Sequence, residues 1–306
     1  MYLDYYFQVL GISDIPYFLK KYLICPSLLR LKKISYFCGM DYASKNIYNF
    51  REKITRYDHS LSVALLTYKF TKSKKASISG LFHDVATPCF SHVIDYMNGD
   101  YANQESTEEY TELIIKNDKY LNNCLRKDKI KMSDIVNFKN YTIVDNNRPK
   151  LCSDRIDGII LTGISWTKNI EYNEIRDIVN NLCVYQNEDF EYELGFKSIC
   201  IANNVVKKSE EIDAFCHSKE DNYMMNLLAN LTKYAIDNKY FNYNDLYYYD
   251  EEYIINIFEN ISDEFFKKKF LLFKNIRKDE VVEVTLPYIK KRNISPLCNG
   301  KRILKL

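Results

Sequence analysis

Apolar positions recur at helical spacing along most of this chain. Leu61, Ala64, Leu65 and Tyr68 share one face of a 3.6-residue period, and Ile175, Ile178, Val179 and Leu182 repeat the pattern further on. Helix openings are predicted at Ser106-Thr107-Glu108-Glu109, where a hydroxyl cap precedes acidic residues, and similarly at Ser209-Glu210 and Asn244-Asp245. Two stretches depart from the helical period. Residues 184–201 alternate around Asn187-Glu188-Asp189, which predicts a hairpin, and Val281–Leu286 reads as a short strand ending at Pro287. With no internal repeat and no linker, the expected architecture is a single mostly α domain over 1–306 with a small β excursion.

Composition narrows the class. The chain is 46% hydrophobic and 27% charged, as soluble globular proteins are, and its 8 Gly and 6 Pro argue against a loop-rich β fold and against disorder. No apolar run reaches the roughly 18 residues of a membrane span. Met1-Tyr2-Leu3-Asp4 lacks a basic region ahead of an apolar one, so the expectation is a cytoplasmic protein with no membrane contact. The nine cysteines are scattered, odd in number and without a C-x-x-C pair, which predicts reduced thiols. Charge is uneven. Residues 267–306 hold 12 Lys or Arg against Asp279, Glu280 and Glu283, so they carry +9 while the remainder carries −7 of the total +2. Such a stretch is ordinarily a solvated surface facing acidic neighbours, and otherwise a polyanion contact.

The candidate chemistry gathers around the histidines. There are four, His59, His83, His92 and His217, and His83 forms a doublet with Asp84. A helix from about 59 to 71 climbs about 18 Å, Lys72-Ser73-Lys74-Lys75 turns, and a helix from 76 to 84 descends about 13 Å. Packed antiparallel, they return His83 and Asp84 to the level of His59, and two imidazoles with a carboxylate suit a divalent transition metal. The best fourth ligand is Asp154, at the start of an apolar helix running to about Thr162. Asp157, one turn on, is the alternative, and a helix cap is the ordinary role for either. Thr87-Pro88 predicts a further helix start, which would set His92 and Asp95 at i and i+3 on one face.

These residues carry a resemblance. The order His59 … His83-Asp84 … Asp154 resembles the H…HD…D signature of the HD-domain metal-dependent phosphohydrolases. Leu29-Arg30-Leu31-Lys32-Lys33-Ile34 is similar to that family's R-L-x-x-I segment, and Arg56-Tyr57-Asp58-His59-Ser60-Leu61 to R-[FY]-[ED]-H-S-L. The run Leu81-Phe82-His83-Asp84-Val85-Ala86-Thr87-Pro88-Cys89-Phe90-Ser91-His92 resembles L-L-H-D-[IL]-G-H-[GT]-P-F-S-H. Those strings point to the branch of dGTPases and SAM-and-HD-domain dNTP triphosphohydrolases. The likeness covers about residues 20–165, with a weaker continuation through 205–260.

The resemblance implies an HD-domain helical bundle, with a core at about 20–165 and a helical C-terminal extension with short strands over 166–306. It implies one divalent transition metal (Mn, Fe, Co, Ni or Zn) on His59, His83, Asp84 and Asp154. It implies catalytic roles for His92, Asp95 and Glu105, substrate contacts from Arg56, Arg155 and Gln104, and a homo-oligomer. His217 falls where the family has a Y-x-H near the substrate. Departures stand beside these matches: Ala86 and Thr87 replace a glycine and a histidine, Gln104 replaces a second catalytic histidine, and Gly158 and Thr162 replace a tyrosine and an aspartate that sit by sugar and phosphate. Glutamine exchanges no proton near neutral pH, so the usual His–Asp relay lacks one partner.

Two functional readings follow. One is a metal-dependent phosphohydrolase acting on a nucleotide, with a dNTP as one candidate, or on a related phosphate ester. The other is a catalytically weakened HD module that binds nucleotide or nucleic acid in a regulatory role, with the basic C-terminal stretch contacting a polyanion. A two-iron oxygenase fits poorly, because residues 93–153 contain no histidine for a second metal.

Overall fold

The computed structural model describes residues 1–303 apart from 105, 107 and 287. It is mostly helical with one small sheet, as the apolar spacing predicts. The Arg56–Thr71 helix opens with a capping box, Thr55 accepting from the Asp58 amide and Asp58 from the Thr55 amide. It closes at Lys72 in the left-handed region (φ 54°), and Ser73 caps the following Lys74–Phe82 helix. The two helices pack closely. A β-carbon at Gly80 would stand 3.3 Å from a Val63 methyl, so a small residue sets their spacing. The Ser153–Ser165 helix packs on the same Arg56–Thr71 helix, and Leu61, Ala64, Leu65, Ile156, Ile160 and Ile164 fill the core between them. This burial of apolar stripes supplies the main stabilisation and fixes the level at which His59, His83 and Asp154 meet.

The predicted hairpin forms. β1 (Leu182–Gln186) pairs antiparallel with β2 (Tyr192–Phe196) around a turn in which the Asn187 side chain accepts from the Asp189 and Glu191 amides. The second arm ends earlier than expected, because a helix begins at Ile199. β3 (Leu297–Cys298) joins β2 in parallel and β4 (Lys301–Arg302) completes the order β1-β2-β3-β4. Gly195 admits β3, since a β-carbon there would lie 2.5 Å from the Leu297 carbonyl oxygen.

Several expected elements change. Val281–Leu286 is irregular chain, the edge of β2 being taken by Leu297–Cys298. Ser209 lies inside the Ile199–Cys216 helix and opens nothing. The helix expected after Ser106 starts only at Thr111. Thr87 and Pro88 start no helix either. Arg30 Nη1 binds the Thr87 carbonyl at 2.9 Å, the Cys89 amide goes to the Leu246 carbonyl at 2.7 Å, and Phe90 and Ser91 turn through φ of 66° and 47°. Tertiary partners thus claim the backbone that a first helical turn would use, and the helix begins at Val93 with His92 at its cap. All nine cysteines are free thiols. Among the described residues, no helix is long and apolar enough to cross a membrane.

Candidate metal centre and cavity

His59 leaves the first turn of its helix toward the Ser153–Ser165 helix. Its Nδ1 lies 2.6 Å from Asp157 Oδ2, and the other oxygen of that fully buried carboxylate accepts from the Tyr6 hydroxyl at 2.6 Å. His83, at the end of the Lys74–Phe82 helix, places Nδ1 2.8 Å from the Gly80 carbonyl. Both rings therefore hold their Nδ1 proton against an oxygen and present Nε2 to the same space. Asp157 orients His59 from behind and is not the fourth donor of the cluster.

Asp154 faces the two Nε2 atoms. Its Oδ1 lies 3.0 Å from His59 Nε2 and 3.5 Å from His83 Nε2. The cap position of its helix is Cys152, and the amides of Ser153 and Asp154 bond to the carbonyls of Ile143 and Val144. The Asp154 carboxylate is therefore not spent on capping. Donor atoms of His59, His83 and Asp154 all fall within 4.8 Å of one another. Asp84 stands slightly outside, 3.7 Å from His59 Nε2 and 3.8 Å from His83 Nε2, with one oxygen held by Arg56 at 2.8 Å.

The donor set fits a divalent transition metal, with two neutral-capable imidazoles beside carboxylates. A second observation agrees: His83 Nε2 is buried and has no hydrogen-bond partner. The electrostatics run the same way. Burial disfavours charge on His59, yet Asp154 and Asp157 outweigh it and raise the imidazole to about 10. Burial would likewise raise Asp84, but His83, Arg56 and His59 bring it down to about 2. The cluster is built to surround positive charge.

The cluster opens on a cavity of about 660 Å³. His92 lines it, with Nδ1 2.8 Å from Asp95 Oδ2, and Asp95 Oδ1 accepts from the Ser106 amide at 3.0 Å. Burial, helped by Arg292 and Arg56, pushes the His92 imidazole below its usual range against the pull of Asp95. Asp95 is buried behind His92. Gln104, in the left-handed region at φ 55°, lines the cavity and accepts from Arg292 Nη2 at 2.7 Å. Arg56 lines it with its guanidinium on Asp84 and over the Tyr36 ring. Arg155 reaches the lining, but its guanidinium is engaged by Asp145, Asn146 and the Lys150 carbonyl, and so holds the 145–150 loop in place. Glu105 lies outside the described residues. His217 joins the lining with a buried, unpartnered Nε2.

At another end of the cavity, Trp166 packs with Phe37, Tyr48 and Phe50. Tyr36 was not singled out from sequence. Its hydroxyl would lie 3.0 Å from a β-carbon at 158, so Gly158 makes room for it. Arg148, in irregular chain, and Lys139, in the one-turn helix Phe138–Asn140, were missed too, since neither segment is long enough to carry a periodic pattern. Lys290 and Arg292 were legible only as part of a basic stretch.

Comparison with known proteins agrees with this geometry. Residues 56–153 match the HD domain family, a stretch that holds His59, His83 and Asp84 and stops just short of Asp154. The chain is 26% identical over 217 residues to the uncharacterized protein YdhJ of Bacillus subtilis (strain 168), covering 71% of this chain and 64% of that protein. It thus spans less than two thirds of that relative's length. Among solved structures it resembles a hypothetical protein from Aquifex aeolicus, with a TM-score of 0.57 and 17% identity over 86% of this chain and 70% of that one. It also resembles a phosphohydrolase from Bacteroides thetaiotaomicron VPI-5482, with a TM-score of 0.55 and 14% identity over 83% and 72% of the two chains. At these identities the structural likeness shows a shared fold. The matched stretch marks an HD domain within this chain.

Proposed function

We propose that this protein is a metal-dependent phosphohydrolase that acts on a nucleotide or a related phosphate ester. The observation that carries this reading is the pair of imidazoles, each fixed through Nδ1, whose Nε2 atoms meet Asp154 and Asp84 at the wall of a cavity with cationic lining. The HD match over 56–153 and the phosphohydrolase among its structural neighbours support it.

A divalent ion held by His59, His83, Asp154 and Asp84 would supply Lewis acidity toward a phosphoryl oxygen and toward water. The chain's own groups do the rest. Arg56, fixed on Asp84, directs positive charge at the incoming oxyanion. His92, held by Asp95, presents its other nitrogen to the cavity. Burial first, then Arg292 and Arg56, disfavour its charged form against the pull of Asp95. An anionic substrate offsets those arginines, lets His92 take up a proton, and makes it the acid that serves the leaving oxygen. Asp95 positions that imidazole and stabilises its charge. Gln104 exchanges no proton, and its carbonyl holds Arg292 in the cavity wall instead. Glu105 remains proposed for catalysis from its place in the sequence alone. Membership of the dGTPase and dNTP triphosphohydrolase branch and assembly into a homo-oligomer belong to the same proposal.

Incubating the protein with Mn²⁺ and candidate nucleotides tests this reading. Turnover that requires metal and disappears in His83→Ala upholds it, and full activity in His83→Ala overturns it.

A further inference from the structure

The C-terminal chain does more than cover the fold. Residues 289–295 run as an irregular strap along the cavity wall and are pinned on three sides. Lys290 donates its amide to the Tyr101 carbonyl at 3.1 Å and its Nζ to the Asn103 carbonyl at 2.7 Å. The Arg292 amide donates to Asp213 Oδ1 at 2.6 Å, and its carbonyl accepts from Ser209 Oγ at 3.3 Å. On the third side, Arg148 Nη1 donates to the Asn293 carbonyl at 3.2 Å and the Ser295 amide to the Pro149 carbonyl at 2.8 Å. The result turns Lys290 and Arg292 inward beside Arg148, and all three line the cavity that holds His59 and His83.

These three cations differ from the other cations that line the cavity. At the same cavity, Arg56 is paired with Asp84, Arg155 with Asp145 and Lys139 with Glu108. Elsewhere in the basic C-terminal stretch, Lys274 pairs with Glu259, Lys278 with Glu220 and Arg302 with Glu188 and Glu193. Among the described residues, the side chains of Arg148, Lys290 and Arg292 have no carboxylate partner. They are met by two backbone carbonyls and the Gln104 amide oxygen. They also repel one another: burial first, then Arg292 and Arg155, bring Arg148 down to about 10, and burial, Arg292 and Arg148 lower Lys290. Half-buried like charges held together by design of the backbone want an anion between them. The cavity volume of about 660 Å³ is that of a small-molecule site.

We infer that Arg148, Lys290 and Arg292 form a second anion site on the cavity wall, separate from the metal cluster, which takes a second phosphoryl group of a ligand whose first phosphoryl group lies at the metal. This rests on the phosphohydrolase reading for the first group and narrows the substrate class to compounds with at least two phosphoryl groups. It also gives the strap a role: it closes one side of the site and brings two of its three cations.

Titration of the full-length protein with tripolyphosphate and with orthophosphate, read through Trp166 at the cavity edge, tests the inference. Tripolyphosphate is expected to bind at least about tenfold more tightly than orthophosphate, and Arg292→Gln or Lys290→Gln to weaken tripolyphosphate about tenfold while orthophosphate stays within about twofold. The exposed neighbour serves as control, and Lys291→Gln is expected to change neither. Arg292→Lys is expected to recover part of the loss, and Lys290→Gln, whose side chain meets only a carbonyl, guards against misfolding of the arginine variant. Equal affinity for the two anions, or equal losses in Lys291→Gln, would overturn the site. Repeating the titration in His83→Ala separates this inference from the enzymatic one. Arg292-dependent binding that survives there upholds the anion site even if no substrate is turned over.

Discussion

The two ends of the cavity solve the problem of buried charge in opposite ways. At the metal cluster every charged group faces an opposite one: Arg56 meets Asp84, His59 meets Asp154 and Asp157, and Tyr6 closes the back of Asp157. At the strap, Arg148, Lys290 and Arg292 face carbonyl oxygens and one another. The first end carries its counter-charges and needs only a cation to replace the protons that its imidazoles would otherwise hold. At the second, among the described residues, no carboxylate is paired with the three cationic side chains, and what enters completes it. The difference teaches that one cavity can be preorganised for a metal from within and for an anion from without.

The contrast can be broken most severely at the cluster. His83→Ala removes the ring whose Nε2 has no other partner, and it is expected to abolish metal retention and turnover together, read by elemental analysis of the purified variant and by product formation. Asp157→Asn keeps all donors but withdraws the carboxylate behind His59. Its expected effect is a loss of about 10–100-fold in metal affinity, measured by competition with a chelating dye. Unchanged affinity would show that Asp157 only fills the core. At the strap the expected effect is smaller and of another kind: Arg292→Gln leaves metal content untouched and flattens the salt dependence of tripolyphosphate binding, seen by titrating at several ionic strengths.

Glu251 sharpens the contrast with the smallest effect. This carboxyl is buried against the Phe90 amide with no ion-pair partner among the described residues, and burial pushes it up to about 8. The unfolded chain loses that proton above its ordinary value of 4.5, whereas the folded chain keeps it to about 8. Stability is therefore expected to fall as pH rises through this window, by on the order of a few kcal/mol at most, and to level off above it. Glu251→Gln, which keeps the neutral form, is expected to remove that slope in denaturant melts between pH 5 and 8. A slope unchanged in the variant would mean that Glu251 is paired in solution. A lone buried acid in the scaffold relieves itself by holding a proton, which the guanidinium groups at the strap cannot do by releasing one.

Much of this was legible in the sequence because it is local. The return of His83 to the level of His59 follows from helix rise and a short turn, and the Ser73 cap and Gly80 contact show why the turn closes as it does. The spacing of His92 and Asp95 was legible for the same reason, although the helix carrying them starts later than Thr87-Pro88 suggested. The rest depends on long-range pairing. Arg30 and Leu246 decide the path of residues 87–90, and Leu297–Cys298 takes the edge that Val281–Leu286 was expected to seek. Arg148 and Arg292 are 144 positions apart in the sequence, and no periodicity relates them. Arg155 shows the converse: its motif was plain, but its guanidinium is held by the 145–150 loop.

The proposed activity is metal-assisted hydrolysis of a phosphate compound in this cavity. The most direct measurement is a mass-spectrometric screen of the purified protein with Mn²⁺ against pooled nucleoside mono-, di- and triphosphates, with Asp84→Ala as control. Metal-dependent loss of a di- or triphosphate and appearance of its product are expected in the wild type and not in Asp84→Ala. A protein that retains metal, binds tripolyphosphate and turns over none of these compounds would contradict it, and would instead mark a module that binds phosphates without cleaving them.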